Sequence, residues 1–126
     1  MKIIYCHTRE MEPYLPEGGY TYDCRISSRG GTTVAMHAIQ SWLLPTLRIG
    51  DFIERKVGVA RCSKDDNYNK KIGRDLATAR MKATTLTVIN IFGDVVFFED
   101  TNGNMFEFKK SKDPHCAILV RILDDN

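Results

Sequence analysis

The feature that most constrains the fold is a series of short β-forming runs in the C-terminal third, separated by turn signals. Asn102-Gly103 is the strongest two-residue hairpin signal in the chain. Val95 to Phe98 is apolar at every position, which predicts a central strand covered on both faces. The predicted strands are Thr84 to Ile91, Val95 to Glu99, Met105 to Lys110 and Cys116 to Leu123.

A helix is predicted before these strands, from about Asn67 to Lys82. Apolar residues recur there every three or four positions and predict one buried stripe. The polar residues 63–66 predict a loop that caps the helix. Gly73 inside the helix indicates close approach by a packed element or a ligand. The stripe consists of Tyr68, Ile72, Leu76 and Ala79.

The segment 32–44 is ambiguous between strand and helix. Thr32, Thr33 and Val34 favour a return strand of a hairpin closed at Gly30-Gly31. Apolar residues with a period near 3.6 and a proline that would end a helix favour a helix from Val34 to Leu44. The length of the segment inclines the prediction to the helix.

Composition places these elements in one domain. The chain has 126 residues, of which 43% are apolar and 27% charged, without a Pro/Gly/Ser-rich linker. These values are typical of one folded unit. The sequence therefore predicts a single α+β domain over residues 1–126, with an antiparallel sheet of five to seven strands and one or two packed helices.

The cysteines and the hydropathy pattern indicate a compartment. The four cysteines are widely spaced, and no segment resembles a signal peptide. We therefore expect reduced thiols and a cytoplasmic location. No apolar run approaches the ~20 residues that a membrane span requires, so no membrane partner is expected.

Motifs for catalysis and metal binding are not found in the sequence. It contains no phosphate loop, nucleophile elbow, HExxH or kinase signature. The pairs Cys6-His7 and His115-Cys116 would point to opposite faces of a strand, so neither predicts a metal site. We predict no catalytic residue, no metal and no cofactor, and therefore a protein that is not an enzyme.

Basic residues instead indicate anion binding. They crowd between Arg61 and Lys82, although the net charge is only +2. One interpretation is a solvated helix face. The other is an anion site, because a helix N-terminus offers free N–H groups and a positive partial charge. Arg25 and Arg29 flank a glycine-rich turn that could bind anions in the same way. The predicted ligand-binding residues are Arg61, Tyr68, Lys70, Lys71, Arg74, Arg80, Arg25 and Arg29.

A resemblance covers residues 58–80, about a fifth of the chain. The segment reads G-V-A-x-C, then D-x-[FY], then G-x-x-[LI]-A-x-x-R. It is similar to a segment of many small bacteriophage proteins, some of which resemble the phage anti-Thoeris proteins. That resemblance implies an oligomer that holds a cyclic ADP-ribose signal at subunit interfaces without cleaving it. The chain departs from the family plan because predicted strands, rather than a long helical C-terminus, follow Arg80.

Three functions follow as hypotheses. The first is a phage accessory protein that acts in the host cytoplasm as a homo-oligomer and sequesters a small nucleotide-like or phosphorylated anion in counter-defence. The second is an inhibitor that binds a host defence protein or a nucleic acid directly. The third is a small nucleotide hydrolase, for which the sequence offers no identifiable base, nucleophile or metal ligands.

Overall fold

A computed structural model describes residues 2–8, 11–14, 18–19, 23–26, 29–67 and 69–123. A sheet dominates it, with one α-helix and a 3-10 turn at Leu44–Thr46. No helix within the described residues is long and apolar enough to cross a membrane. The other elements are β1 Ile3–Thr8, β2 Met11–Tyr14, β3 Asp23–Ile26, β4 Arg29–His37, β5 Phe52–Asn67, α1 Lys70–Ala79, β6 Lys82–Phe92, β7 Val95–Glu99, β8 Met105–Lys109 and β9 Ile118–Leu123.

Seven strands form one antiparallel sheet in the order β1-β4-β5-β6-β7-β8-β9, and β2 and β3 pair separately. The two edge strands β1 and β9 contact each other, so the sheet is nearly barrel-shaped. At this junction burial raises the pKa of the Cys6 thiol, and the Thr8 side chain and the Ile122 backbone partly offset the rise. The predicted antiparallel sheet with a packed helix is therefore confirmed in its main features. The sheet, rather than the helix, dominates the described structure.

The C-terminal hairpins form where the turn signals predicted them. Gly93 and Gly103 adopt φ of 57° and 85°, the left-handed region that glycine tolerates best. β7 lies between β6 and β8 as expected of a central strand. Its cover on both faces is only partly correct, because Val96 and Phe98 are buried while Val95 and Phe97 are half-buried.

The helix predicted from Val34 to Leu44 is wrong, because this segment begins as β4. Val34 and Met36 face the main core, while Ala35 faces α1 on the other side of the sheet. A strand covered on both faces has no alternating pattern, and its continuous apolar run imitates a helical stripe. Gly30 and Gly31 lie within the strand, beside a register shift, and do not close a hairpin there.

Helix α1 is shorter than predicted, and its cap differs. β5 continues to Asn67, so residues 63–66 belong to a strand and not to the predicted loop. Asn69 is the N-cap, and its side-chain oxygen accepts a hydrogen bond from the backbone N–H of Ile72 at 3.1 Å. This bond satisfies one of the helix N–H groups that lack an internal partner.

The predicted apolar stripe of α1 is not its buried face. Ile72 and Leu76 are 57% and 43% exposed, whereas Ala77 is fully buried. The helix packs through its smallest residues: a Cβ added to Gly58 would lie 1.9 Å from the carbonyl oxygen of Ala77. The prediction that Gly73 permits close approach is confirmed, since a Cβ there would lie 2.4 Å from Thr33 Oγ1. Small residues here bring the helix nearer to the sheet than larger ones could.

Candidate functional site

The inner face of the sheet changes from apolar to polar at one end. Val57, Leu86, Phe98 and Phe106 belong to the main core. Alternate residues of a strand share a face, so positions further along the same strands continue the inner surface. These polar positions are Arg61 on β5, Thr84 and Lys82 on β6, Asp100 after β7 and Asn104 before β8.

An opening lies at this polar end because two neighbouring strands part. β5 pairs with β6 only from Phe52 to Val57, and beyond that point it continues beside β4. β6 begins at Lys82, opposite Val57, so no described strand flanks β5 on this side after that position. The resulting cleft has a volume of about 810 Å³, and residues of the turn from Asp100 to Asn104 contribute to its lining.

Among the described residues that line the cleft, Asp100 is the acid, and its carboxylate is already engaged. Asp100 is 8% exposed and accepts hydrogen bonds from the backbone N–H groups of Asn102 and Asn104, each at 2.9 Å. The Asn104 side-chain amide donates to the other carboxylate oxygen at 2.9 Å. Three donors on one carboxylate fix the turn and orient the carbonyl oxygen of the Asn104 amide.

Two arginines of the cleft are held by backbone and amide oxygens. Arg61 Nη2 donates to Asn104 Oδ1 at 2.8 Å and so connects β5 to the β7–β8 turn. Arg80, the C-cap residue of α1, donates from Nη1 to the carbonyl oxygen of Val59 at 3.2 Å. The acceptors of these two hydrogen bonds are neutral oxygens, so neither bond offsets the positive charge of its guanidinium group.

Lys82 adds a third cation to the same lining. It is exposed, and no hydrogen bond or ion pair of its ammonium group occurs within the described residues. Together with Arg61 and Arg80 it gives the described part of the lining three cations and one carboxylate, that of Asp100. An arrangement of this kind binds anions through charge-assisted hydrogen bonds.

The structure brings two of the eight predicted ligand-binding residues into this cleft, Arg61 and Arg80. Lys70, Lys71 and Arg74 lie on exposed parts of α1 and do not line it. Arg25 belongs to β3 in the separate two-stranded sheet, opposite Glu12. Arg29 lies at the start of β4, opposite Asn67. Tyr68 lies outside the described residues.

Lys70 and Arg74 approach a different group, the imidazole of His7. Burial lowers the pKa of His7, and the positive charges of Lys70 and then Arg74 lower it further. His7 Nδ1 and Thr33 Oγ1 are 3.0 Å apart, so the ring is tied to the strand beneath α1. The predicted basic cluster is therefore divided between two places, the cleft and the surroundings of His7.

Sequence reasoning missed Lys82 as a ligand-binding residue, together with Thr84, Asp100 and Asn104. The sequence signal that could have identified these residues is the point in each strand where the alternating inward-facing positions change from apolar to polar. Within the described residues, no group of three or more His, Cys, Asp or Glu side chains is placed to hold a metal ion. The side chains of the cleft can hold and orient an anion.

Comparison with known proteins adds no relative. No family model, no curated protein and no solved structure matches the chain. The resemblance of residues 58–80 to phage proteins therefore stays a prediction, and the functional argument depends on the cleft.

Proposed function

We propose that this protein binds and sequesters a phosphorylated, nucleotide-like anion in the cleft without cleaving it. The observation that carries the proposal is the convergence of Arg61, Arg80 and Lys82 on one concave surface of about 810 Å³. This volume falls within the range of small-molecule sites, which often lie at the mouth of a curved sheet. The resemblance to phage proteins supplies the proposed purpose, counter-defence in the host cytoplasm.

Electrostatics supports an anionic ligand over a neutral one. Asp100 keeps its negative charge while three hydrogen bonds occupy its oxygens, so the described lining residues of the cleft carry three cations and one carboxylate. The apolar walls at Val57 and Val59 concentrate the potential of these charges, because charges beside low-dielectric surfaces are screened less. Binding without hydrolysis is proposed because the same hydrogen bonds leave the Asp100 carboxylate poorly suited to act as a general base.

The first experiment is native mass spectrometry of the protein purified from cells that produce candidate nucleotide signals, with heat release of any bound molecule. We expect release of a chemically intact phosphorylated nucleotide. The apo mass also tests the homo-oligomer that the phage resemblance implies. A cleaved product would favour the hydrolase, and a clean apo mass across several signals would contradict sequestration.

A matched pair of lysine variants, titrated calorimetrically with the nucleotide released in the first experiment, then locates the site. Lys82→Gln removes a cation of the cleft, whereas Lys71→Gln removes an equally exposed cation of α1. One charge-assisted contact corresponds to a weakening of about tenfold or more, so Lys82→Gln should raise the Kd by that factor. Lys71→Gln should leave it unchanged. The reverse result would place the ligand on the helix and overturn the cleft as the site.

A further inference from the structure

The outer face of β6 to β9 carries large apolar side chains in contact with solvent. Alternate residues of these strands form the main core, so the remaining positions point outward. Within the described residues, α1 packs against β4 and β5 and leaves this outer face uncovered. Four of its side chains, with Phe52 on the adjoining end of β5, are between 37% and 68% exposed: Phe52, Phe92, Ile118 and Leu123. A contiguous apolar surface of this kind marks an interaction site.

The strand register arranges the outer face in rows that run across the strands, because register partners share a face. Each of the two outermost rows contains one charged residue. The row at one end consists of Phe52, Thr87, Glu99, Met105 and Leu123. The row at the other end consists of Phe92, Val95, Lys109 and Ile118. The face is therefore negative at one end and positive at the other.

The central row, between these two, is electrically neutral. Phe97, Glu107 and Arg121 are register partners there. Arg121 Nε donates to Glu107 Oε1 at 2.7 Å, and the Glu107 side chain is only 13% exposed. Phe97 packs against Phe92 edge to face, with ring centroids 5.9 Å apart. Covering the centre of the face would therefore leave no unpaired charge behind.

The charges at the two ends make the face complementary to itself. Glu99 and Lys109 are exposed, and neither side chain has an ion pair or hydrogen bond within the described residues. A second copy related by a two-fold axis along the central row brings its Glu99 to the end that holds Lys109, and the reverse. The same rotation brings Phe52 of each copy to the end that holds Phe92 of the other. A two-fold axis along the strands would instead bring like charges together.

We propose that two copies of this chain associate face to face through the outer surfaces of β6 to β9, with their strands antiparallel. Such an interface is isologous, since both copies contribute the same surface. It is a sheet-on-sheet contact, in which side chains of the two faces interdigitate. The inference goes beyond the proposed function, because none of the residues in the three rows lines the cleft.

Sedimentation velocity of the full chain over a series of concentrations measures the dimer Kd. We expect a concentration-dependent dimer for the native chain. Phe92→Glu places an unpaired charge within the face and should raise the dimer Kd about tenfold or more. Ile72→Glu is the matched control, because Ile72 is similarly exposed but lies on α1, and it should leave the Kd unchanged.

A pair of charge reversals tests the orientation of the two copies. Glu99→Lys makes both ends of the face positive, and Lys109→Glu makes both ends negative. Each variant alone should raise the dimer Kd about tenfold, since two attractive contacts become repulsive. An equimolar mixture of the two variants should form a heterodimer with a Kd within about threefold of the native value, because every end then meets the opposite charge.

Each contrary result would overturn a specific part of the inference. A native chain that stays monomeric up to about 1 mM would overturn it entirely and assign the face to a different partner. A dimer that Phe92→Glu does not weaken would place the interface elsewhere on the molecule. A dimer that Phe92→Glu weakens, but that neither charge reversal changes, would overturn the antiparallel arrangement. The nucleotide titrations of the cleft test the proposed function separately from all of these.

Discussion

Gly58→Ala is expected to destabilise the protein, although alanine normally suits a strand better than glycine. Gly58 is buried and does not have a positive φ, so its backbone can accept a side chain without strain. The added Cβ would nevertheless lie 1.9 Å from the carbonyl oxygen of Ala77 and 2.8 Å from the backbone nitrogen of Met81. Both obstructing atoms are backbone, so no rotamer change relieves the overlap.

The magnitude follows from the displacement that the overlap requires. To restore an ordinary contact of 3.4 Å, α1 and β5 must separate by about 1.5 Å near Ala77. Overpacking of this kind costs about 1–3 kcal/mol, and a backbone obstruction places the variant in the upper half of that range. Without the overlap, the substitution would stabilise by roughly 0.5–1 kcal/mol, because glycine loses more conformational freedom on folding. The sign of the change therefore tests the close packing directly.

Equilibrium unfolding in urea measures this change. The midpoint should fall for Gly58→Ala while the slope stays constant, as expected when only the folded state is affected. Ala77→Gly is the control: the obstructing oxygen belongs to the backbone, so the double variant should be no more stable than the sum of the single changes. A stabilised Gly58→Ala, or a rescue by Ala77→Gly, would refute the packing argument.

Three further predictions concern the helix and the cleft. Gly73→Ala and Thr33→Ala should each lower the stability of the protein. In the double variant the two changes should couple favourably by about 1–2 kcal/mol, because the new methyl group occupies the space of the lost hydroxyl. A double-mutant cycle measured by urea unfolding gives this coupling energy, and simple additivity would contradict it. Burial and the helix cations lower the pKa of His7, so the stability linked to its neutral form is complete above about pH 6.5 and is lost as the pH falls through the lowered pKa. The free energy of unfolding should fall more between pH 7.5 and pH 5.5 for the native chain than for His7→Asn, and equal decreases would contradict this prediction. Asp100→Ala should cost about 1–3 kcal/mol, because it leaves the buried N–H of Asn104 without its acceptor; an unchanged melting temperature would contradict that role.

The sheet was predictable where the signals were local. Asn102-Gly103 and Gly93-Asp94 mark turns by their own backbone preferences, so the three strands around them were found near their observed bounds. The prediction for residues 34–37 was wrong because of tertiary packing: α1 covers one face of β4 and the main core covers the other. No local pattern distinguishes such a strand from a helix.

The prediction that the apolar stripe of α1 is buried was wrong for a related reason. Ile72 and Leu76 have the spacing of a buried face, yet the sheet accepts only the glycine and alanine side of the helix. The smallness of Gly58 on the opposing strand decides the orientation, and that pairing is not visible until the strand and the helix are placed together. Hydrophobic periodicity predicted the helix itself correctly and its buried face wrongly.

The site was predictable only as a set of charges. Lys70 and Arg74 are four residues apart and both act on His7, whereas Lys71 points about 100° from Lys70, and none of the three lines the cleft. Lys82 and Asn104 are distant in sequence and line the same cleft because β6 and the β7–β8 turn both border it. Strand register creates that proximity, and register is a long-range property of the folded sheet.

The gap beside β5 also explains why the cations of the cleft are not equivalent. A strand that extends beyond its neighbour leaves backbone N–H and C=O groups unpaired, and a strand of another chain could pair with them. Arg80 occupies one of these, the carbonyl oxygen of Val59, and thereby protects the edge while contributing charge. Its removal would alter both the edge and the potential, and loss of Arg61 would leave Asn104 Oδ1 without this donor. Lys82 is the cation whose loss changes charge with the least change in structure, so its variant provides the cleanest measure of what the cleft binds.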